Sequence, residues 1–110
     1  METRRVVITG MGALTPVGNN VPAFWEGLLA GKNGIGPVTR FDTAEYKAKL
    51  AAEVKNFDPE TVLEKPEIRK TDRFVQYALA AAKEAMADSG IIGQVAPERL
   101  GVYFGSGIGG

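Results

Sequence analysis

The most constraining feature of the sequence is a long helical segment that is apolar around most of its circumference. Thr71 or Asp72 is a good N-cap, and Gly90 suits the left-handed end of a helix, so a helix is predicted to about Ser89. Its apolar positions are Phe74, Val75, Tyr77, Ala78, Leu79, Ala81, Ala82, Ala85 and Met86. That set is wider than the single stripe of a surface helix. The helix therefore needs neighbouring structure on most sides, and its alanines allow a close approach.

Two short apolar runs, residues 4–8 and residues 100–104, are predicted to be buried β-strands. With the helices between them, they predict an α/β fold with two parallel strands and a right-handed crossover. Two strands are too few for a parallel sheet, which needs more strands and helices on both faces. We therefore expect residues 1–110, without an internal domain boundary, to be an incomplete part of a larger α/β domain.

A shorter helix is predicted over residues 21–30. Asn20 is a good N-cap, and Pro22 is tolerated in the first turn. Gly31 suits the left-handed position that follows many helices. Four large apolar side chains are expected to form the buried stripe of this helix: Phe24, Trp25, Leu28 and Leu29.

The region between the two helices contains glycine and proline and is predicted to be mostly loop. A short helical turn is expected at residues 41–46, and an edge strand at residues 52–55. Asp58 followed by Pro59 is typical of a helix start, so a short helix is predicted to end near residue 63.

Composition limits the chemistry that these residues can perform alone. The 110 residues contain no cysteine and no histidine, so they offer no thiolate nucleophile and no imidazole base. The acidic pairs Asp58/Glu60 and Asp42/Glu45 have no histidine to complete a metal or acid–base site, which favours surface charge. No metal site is expected.

The charge balance and hydropathy pattern exclude other classes of protein. A formal net charge of zero argues against a nucleic-acid-binding protein, which usually has a basic excess. No apolar stretch is long enough to span a bilayer, and the amino terminus lacks a secretory apolar segment. A cytoplasmic location is expected, or an organelle after removal of a transit peptide.

Two glycine-rich segments suggest a nucleotide site. Residues 105–110, Gly-Ser-Gly-Ile-Gly-Gly, have the G-x-G-x-x-G spacing of dinucleotide-binding loops. That motif requires a following helix and an acidic residue about 20 positions later, and the 110 residues contain neither. Residues 6–12 also begin like a nucleotide-binding strand but lack the third glycine. For residues 105–110 a turn with closely packed backbones is the preferred interpretation, with a dinucleotide site as the alternative.

Four basic residues lie close together in the sequence: Lys65, Arg69, Lys70 and Arg73. On one continuous helix, Arg69 and Arg73 would share a face. Acidic residues are interleaved with them, which favours a solvated charged face. The alternative is a docking surface for an acidic partner.

Four further stretches are informative as a set: residues 4–18 (RRVVITGMGALTPVG), Gly34-Ile35 with residues 40–43 (RFDT), Arg69-Lys70 with residues 72–77 (DRFVQY), and residues 105–110 (GSGIGG). Together they resemble the start of KAS II-type β-ketoacyl-[acyl-carrier-protein] synthases, the elongating condensing enzymes of fatty-acid synthesis. Each is weak alone, but their order and spacing are kept over the whole chain.

The resemblance implies a thiolase-like fold of two similar α/β halves that works as a homodimer. It implies a decarboxylative Claisen condensation, in which an acyl group passes from acyl carrier protein to a cysteine and malonyl-acyl carrier protein supplies two carbons. The family uses one cysteine and two histidines, supported by a lysine, and the resemblance places the cysteine and histidines after residue 110. No catalytic residue is therefore expected in this chain, no cofactor is implied, and the chain alone is expected to be inactive.

The resemblance also assigns candidate site residues. Ile108 matches the position where KAS II-type enzymes place a bulky residue against the acyl chain, whereas KAS I-type enzymes have glycine there. Arg69 and Lys70 match part of the basic patch that receives the acidic carrier protein, and Lys65 aligns beside it. Pro66 stands where family members often have a basic residue, which predicts a weaker basic patch.

Two other classes of function stay open on the sequence. One is a nucleotide-binding module built on residues 105–110. The other is a non-catalytic domain that only binds acyl carrier protein. Neither a nucleic-acid partner nor a membrane partner is expected.

Overall fold

The computed structural model describes all 110 residues and consists of three α-helices, two 3₁₀ turns and one small antiparallel ribbon. In chain order the elements are α1 (Val21–Leu29), β1 (Gly36–Pro37), β2 (Leu50–Ala51), a 3₁₀ turn (Pro59–Thr61), α2 (Lys65–Ile68), α3 (Arg73–Ser89) and a 3₁₀ turn (Pro97–Arg99). None of the helices is both long and apolar enough to cross a membrane.

The two main helices confirm their predicted ends. Asn20 caps α1, because its Oδ1 accepts a hydrogen bond from Ala23 N at 2.8 Å. Gly31, just after α1, has a φ of 66°, and Gly90, after α3, has a φ of 62°. Both angles lie in the left-handed region that favours glycine. Asp72 is the extended N-cap of α3, but its side chain makes no capping hydrogen bond.

The two predicted parallel strands are wrong for these residues. Residues 4–8 and 100–104 form no strand and remain largely exposed. The only sheet is the antiparallel pair β1–β2, in which Gly36 faces Ala51. A strand forms only where a second backbone lies beside it to exchange hydrogen bonds, and these residues supply no such neighbour for either run.

The short elements between α1 and α3 are displaced from their predicted positions. The edge strand lies at Leu50–Ala51 rather than at residues 52–55. Beside it, Thr39 donates to the Glu53 carboxylate through N at 3.1 Å and Oγ1 at 2.8 Å, which lowers the pKa of Glu53. The short turn predicted over residues 41–46 is present over residues 43–46, where Tyr46 N donates to Thr43 O at 2.9 Å.

The helix start at Asp58-Pro59 is confirmed, although the element is a 3₁₀ turn that ends at Thr61. Asp58 Oδ1 accepts from Glu60 N at 2.9 Å. The one-turn helix α2 (Lys65–Ile68) was not predicted.

The loop formed by residues 10–18 packs with its backbone directly on α3. A Cβ atom added to Gly12 would overlap the carbonyl oxygen of Ala81, and one added to Gly10 would lie 2.6 Å from Ala85 O. Only glycine permits this separation of the two backbones. The close approach predicted from the alanines of α3 is thereby confirmed.

Two carboxylates on α3 hold the same loop by hydrogen bonds. Glu84 accepts from Ala13 N at 3.0 Å and from Val21 N at 2.7 Å. One turn later, Asp88 accepts from Met11 N at 3.0 Å. Because Val21 N is an unpaired amide in the first turn of α1, Glu84 links the loop, α1 and α3 through one side chain and also faces the positive end of the α1 dipole.

The only two buried residues are Gly27 and Gln76, so no apolar side chain is buried. The predicted buried stripe of α1 is wrong here, because Trp25 is 60% exposed and Leu28 and Leu29 are also exposed. The chain exposes 9111 Å², whereas a folded monomer of this size is expected to expose roughly 6,000 Å². Its radius of gyration is 17.2 Å, against about 13 Å for a compact domain. The helices are formed, but the other parts of these residues leave much of their apolar faces exposed.

Residues 1–110 are expected to self-associate or to melt without cooperativity when isolated, because exposed apolar faces favour association. Sedimentation equilibrium over a range of concentrations, combined with thermal melts at the same concentrations, checks this. A monomer with a sharp, concentration-independent two-state melt would contradict it.

Gly12→Ala is expected to destabilise the polypeptide that contains these residues by about 1–3 kcal/mol or more, because the added methyl group overlaps the α3 backbone. Gly36→Ala is the matched control, since an added Cβ at Gly36 meets nothing within 4 Å. Thermal midpoints of the two purified variants give the comparison. Equal midpoints would show that the loop does not pack on α3 as described.

Candidate functional site

Four exposed basic side chains surround the connection between α2 and α3. Lys65 begins α2, Arg69 is its C-cap, Lys70 follows, and Arg73 begins α3. We call Lys65, Arg69, Lys70 and Arg73 the basic junction. The structure therefore brings together the three residues predicted to contact a carrier protein (Lys65, Arg69 and Lys70).

Arg69 and Arg73 do not lie on one continuous helix, which was the condition for their sharing a face. α2 ends at Ile68, and the extended N-cap Asp72, with a ψ of 161°, separates it from α3. The two arginines therefore belong to different helical segments. The reason is local, since an N-cap residue adopts extended dihedral angles and interrupts the helical path.

The ion pairing of the basic junction differs from residue to residue. Lys65 Nζ lies 3.6 Å from Glu60 Oε1, and this is the only ion pair in the structure. No carboxylate lies within 4.0 Å of the charged nitrogens of Arg69, Lys70 or Arg73, although acidic residues alternate with them in the sequence. Lys65 is thus partly neutralised, whereas Arg69 and Lys70 present unpaired positive charge to solvent.

The backbone of the junction is fixed by a residue that sequence reasoning did not select. Gln76, on the first turns of α3, donates from Nε2 toward Ile68 O and Thr71 O. The available signal was a single polar side chain inside the apolar stretch of the helix, which the sequence analysis left without a role.

The glycine loop of residues 105–110 lies across the start of α3. A Cβ added to Gly109 would contact the Phe74 ring at 3.6 Å, and one added to Gly110 would lie 2.6 Å from Asp72 Oδ2. The loop and the basic junction therefore meet at the same end of α3. Because Asp72 places a carboxylate against the loop, an anionic phosphate would be repelled there.

Ile108 is fully exposed, at 102% of its reference area. An open cleft of about 280 Å³ lies beside the loop and is lined by Leu14, Phe74, Tyr77, Ala78, Ala81, Phe104, Gly105 and Ser106, without Ile108. Contact between Ile108 and an acyl chain stays a prediction.

A larger open cleft, of about 470 Å³, is lined by Ala80, Lys83, Glu84 and Ala87 of α3 and shares Leu14 with the first. Its polar groups are already bonded within the fold. Lys83 Nζ donates to Thr61 O at 2.8 Å, Glu84 binds two backbone amides, and Asn20 caps α1. Lys83, Glu84 and Asn20 therefore serve structural roles in this cleft.

Comparison with known proteins assigns the family. Residues 3–110 match the family described as "Beta-ketoacyl synthase, N-terminal domain". This chain belongs to the β-ketoacyl synthase family. The resemblance carried by the four sequence stretches is thereby confirmed.

Relatives of this β-ketoacyl synthase chain share one name, 3-oxoacyl-[acyl-carrier-protein] synthase 2. The protein of Coxiella burnetii is 53% identical over 111 residues, which cover 100% of this chain and 27% of the relative. That of Staphylococcus aureus (strain COL) is 52% identical, with 99% and 27% covered. That of Synechocystis is 42% identical, with 100% and 27% covered. The chain thus spans about a quarter of the length of these curated relatives.

The fold of this β-ketoacyl synthase chain is also that of a solved relative. The structure of the ishigamide ketosynthase/chain length factor superimposes with a TM-score of 0.73 at 38% identity, covering 89% of this chain and 23% of that one. The expected α/β, thiolase-like fold is confirmed, and residues 1–110 correspond to the amino-terminal part of it.

Proposed function

We propose that residues 1–110 form one continuous part, without an internal boundary, of a KAS II-type elongating synthase. The reaction is the decarboxylative Claisen condensation of an acyl-enzyme with malonyl-acyl carrier protein. The observation that carries this proposal is the match of the whole chain to several 3-oxoacyl-[acyl-carrier-protein] synthase 2 relatives at 42–53% identity. Ile108 supports the KAS II type, because the KAS I type has glycine at the matching position.

The chemical steps require groups that these residues do not carry. Acyl transfer needs a nucleophile, and decarboxylation needs hydrogen-bond donors near the developing negative charge. With no cysteine and no histidine in 110 residues, the segment by itself is inactive. The cysteine, histidines and lysine of the family would come from other parts of a longer polypeptide, which would act as a cytoplasmic homodimer without a metal or cofactor.

The role of this segment is recognition of acyl carrier protein at the basic junction. Arg69 and Lys70 are exposed and unpaired, so they are available to an acidic partner. Lys65 contributes less, because Glu60 lies 3.6 Å from its ammonium group. Exposed charges of this kind mainly raise the association rate and make binding depend on salt.

The position of the glycine loop links docking to the acyl site. The loop touches Asp72 and Phe74 at the same end of α3 as the basic junction. A carrier protein held at Arg69 and Lys70 would therefore deliver its acyl group close to Ile108, whose exposed side chain is free to contact it. The Asp72 carboxylate beside the loop disfavours the alternative nucleotide-binding module, since phosphate would meet a like charge there.

The double variant Arg69→Ala/Lys70→Ala, in the full-length polypeptide containing residues 1–110, is expected to raise the Kd for acyl carrier protein roughly 3- to 30-fold at low salt. Its salt dependence should become shallower, because two cations have been removed. Surface plasmon resonance at two ionic strengths measures both effects.

Lys47→Ala/Arg99→Ala is the matched control. It removes the same number of positive charges, both exposed and without ion pairs. Equal weakening by the two double variants would show a general charge effect and would contradict a specific dock. Unchanged binding by Arg69→Ala/Lys70→Ala would exclude these residues from it.

Residues 1–110 alone are expected to form no acyl-enzyme and to release no CO₂ from malonyl-acyl carrier protein. Transfer of a radiolabelled acyl group to protein, with the full-length polypeptide as the positive control, checks the first step. Covalent labelling of the isolated segment would contradict its inactivity. Salt-dependent binding of carrier protein by the same sample would show that recognition survives without chemistry.

A further inference from the structure

Gln76 is the only buried polar side chain in the chain, with 4% of its surface exposed. It lies near the start of α3, whereas the large apolar side chains of the same helix are at least partly exposed. A polar group is normally enclosed only where it has hydrogen-bond partners. The partners of Gln76 therefore indicate what the residue does.

The side-chain amide of Gln76 donates to the turn that carries the unpaired cations. Its Nε2 lies 3.3 Å from Ile68 O, 3.1 Å from Thr71 O and 3.3 Å from Thr71 Oγ1. Thr71 Oγ1 in turn donates to Glu67 O at 3.0 Å. Ile68 and Thr71 are the residues on either side of Arg69 and Lys70, so one amide group holds both ends of the turn.

The turn needs such a hold. α2 has only four residues, and its N-cap, Glu64, makes no side-chain capping hydrogen bond. A helix of one turn is unstable on its own in water. The carbonyls at its end have no further helical turn to bind. The Gln76 amide, on the much longer α3, adds a donor to Ile68 O, which otherwise accepts only long bonds of 3.4 Å from Thr71, and supplies a donor to Thr71 O.

The opposite end of the same amide is unsatisfied. Oε1 of Gln76 is buried and accepts no hydrogen bond. An unpaired buried acceptor costs about 1–3 kcal/mol. An apolar side chain of similar length would avoid that cost, so the presence of glutamine is explained by its donor group rather than by packing.

We propose that Gln76 is a positioning residue for carrier-protein docking. Its Nε2 fixes the backbone of residues 68–71, so that Arg69 and Lys70 are already oriented when the acidic partner arrives. Binding then requires less ordering of the turn, which strengthens it without any contact between Gln76 and the carrier protein. This inference rests on the proposed docking function of Arg69 and Lys70.

The test variant is Gln76→Met in the full-length polypeptide that contains residues 1–110. Methionine keeps the length of the side chain and removes both the donors and the unpaired acceptor. We expect KM for the acyl carrier protein substrate to rise about 3- to 10-fold, with kcat at saturating carrier protein unchanged. KM for a small acyl thioester that lacks the carrier protein should also be unchanged.

Gln94→Met is the matched control, because Gln94 is the only other glutamine, is exposed and lies after α3. It should leave both KM values and the kcat unchanged. If Gln76→Met impaired turnover equally with the carrier-protein substrate and with the small thioester, the role of Gln76 would be generally structural and the proposal would be overturned.

A second variant, Thr71→Val, decides the question if Gln76→Met does not fold. Valine has the shape of threonine but lacks the hydroxyl that joins Gln76 to Glu67. It should produce the same selective rise in KM for the carrier-protein substrate, with a smaller magnitude. Unchanged KM in both variants, or in Thr71→Val alone if the other does not fold, would overturn the inference.

Combining Gln76→Met with Arg69→Ala/Lys70→Ala separates this inference from the function on which it rests. If Gln76 acts through the two cations, Gln76→Met should weaken carrier-protein binding no further once those cations have been removed. If the cation variant weakens binding and Gln76→Met does not, the positioning role is wrong and docking stands. If the cation variant leaves binding intact, the docking function itself is wrong.

Discussion

The packing of the residue 10–18 loop on α3 is the contact on which the rest of the arrangement depends. These residues have no buried apolar core, so their order comes from backbone proximity and hydrogen bonds. Gly12 lets the loop backbone meet α3 at Ala81, and Glu84 ties that loop to the first amide of α1. α3 thereby becomes the reference element. It fixes α1 through its middle and carries both candidate recognition features, the basic junction and the glycine loop, at its amino-terminal end.

The parts of the fold that sequence predicted well are determined locally. Asn20, Gly31 and Gly90 mark helix ends because a capping oxygen or a left-handed backbone acts within one turn of the chain. The close approach at the alanines of α3 was also readable, since small side chains leave room for a backbone. The strands at residues 4–8 and 100–104 were not, because a strand depends on a partner that local pattern does not specify. The prediction that Trp25 is buried was wrong for the same reason, since burial also depends on a neighbour that local pattern does not specify.

The candidate site shows a similar division. The resemblance assigned Lys65, Arg69 and Lys70 to carrier-protein docking, but only the structure shows which of them is paired with a carboxylate. Lys65 has Glu60 beside it, whereas the acidic residues nearest to Arg69 in sequence do not reach it. The predicted N-cap at Asp72 separates α2 from α3, so Arg69 and Arg73 lie on different segments. Gln76 was invisible as a functional residue, because its role depends on three partner atoms five to eight positions away and on burial that composition does not reveal.

The 9111 Å² of exposed surface also bears on how a polypeptide of this family is made. In relatives of which this segment is 27%, about three times as many residues still have to be synthesised once it has left the ribosome. At 5–20 residues per second, that takes roughly 15–60 s. During this interval α1 and α3 are formed but their apolar sides have no cover. We therefore expect the amino-terminal quarter of such a synthase to be protected by chaperones while the rest of the chain is synthesised.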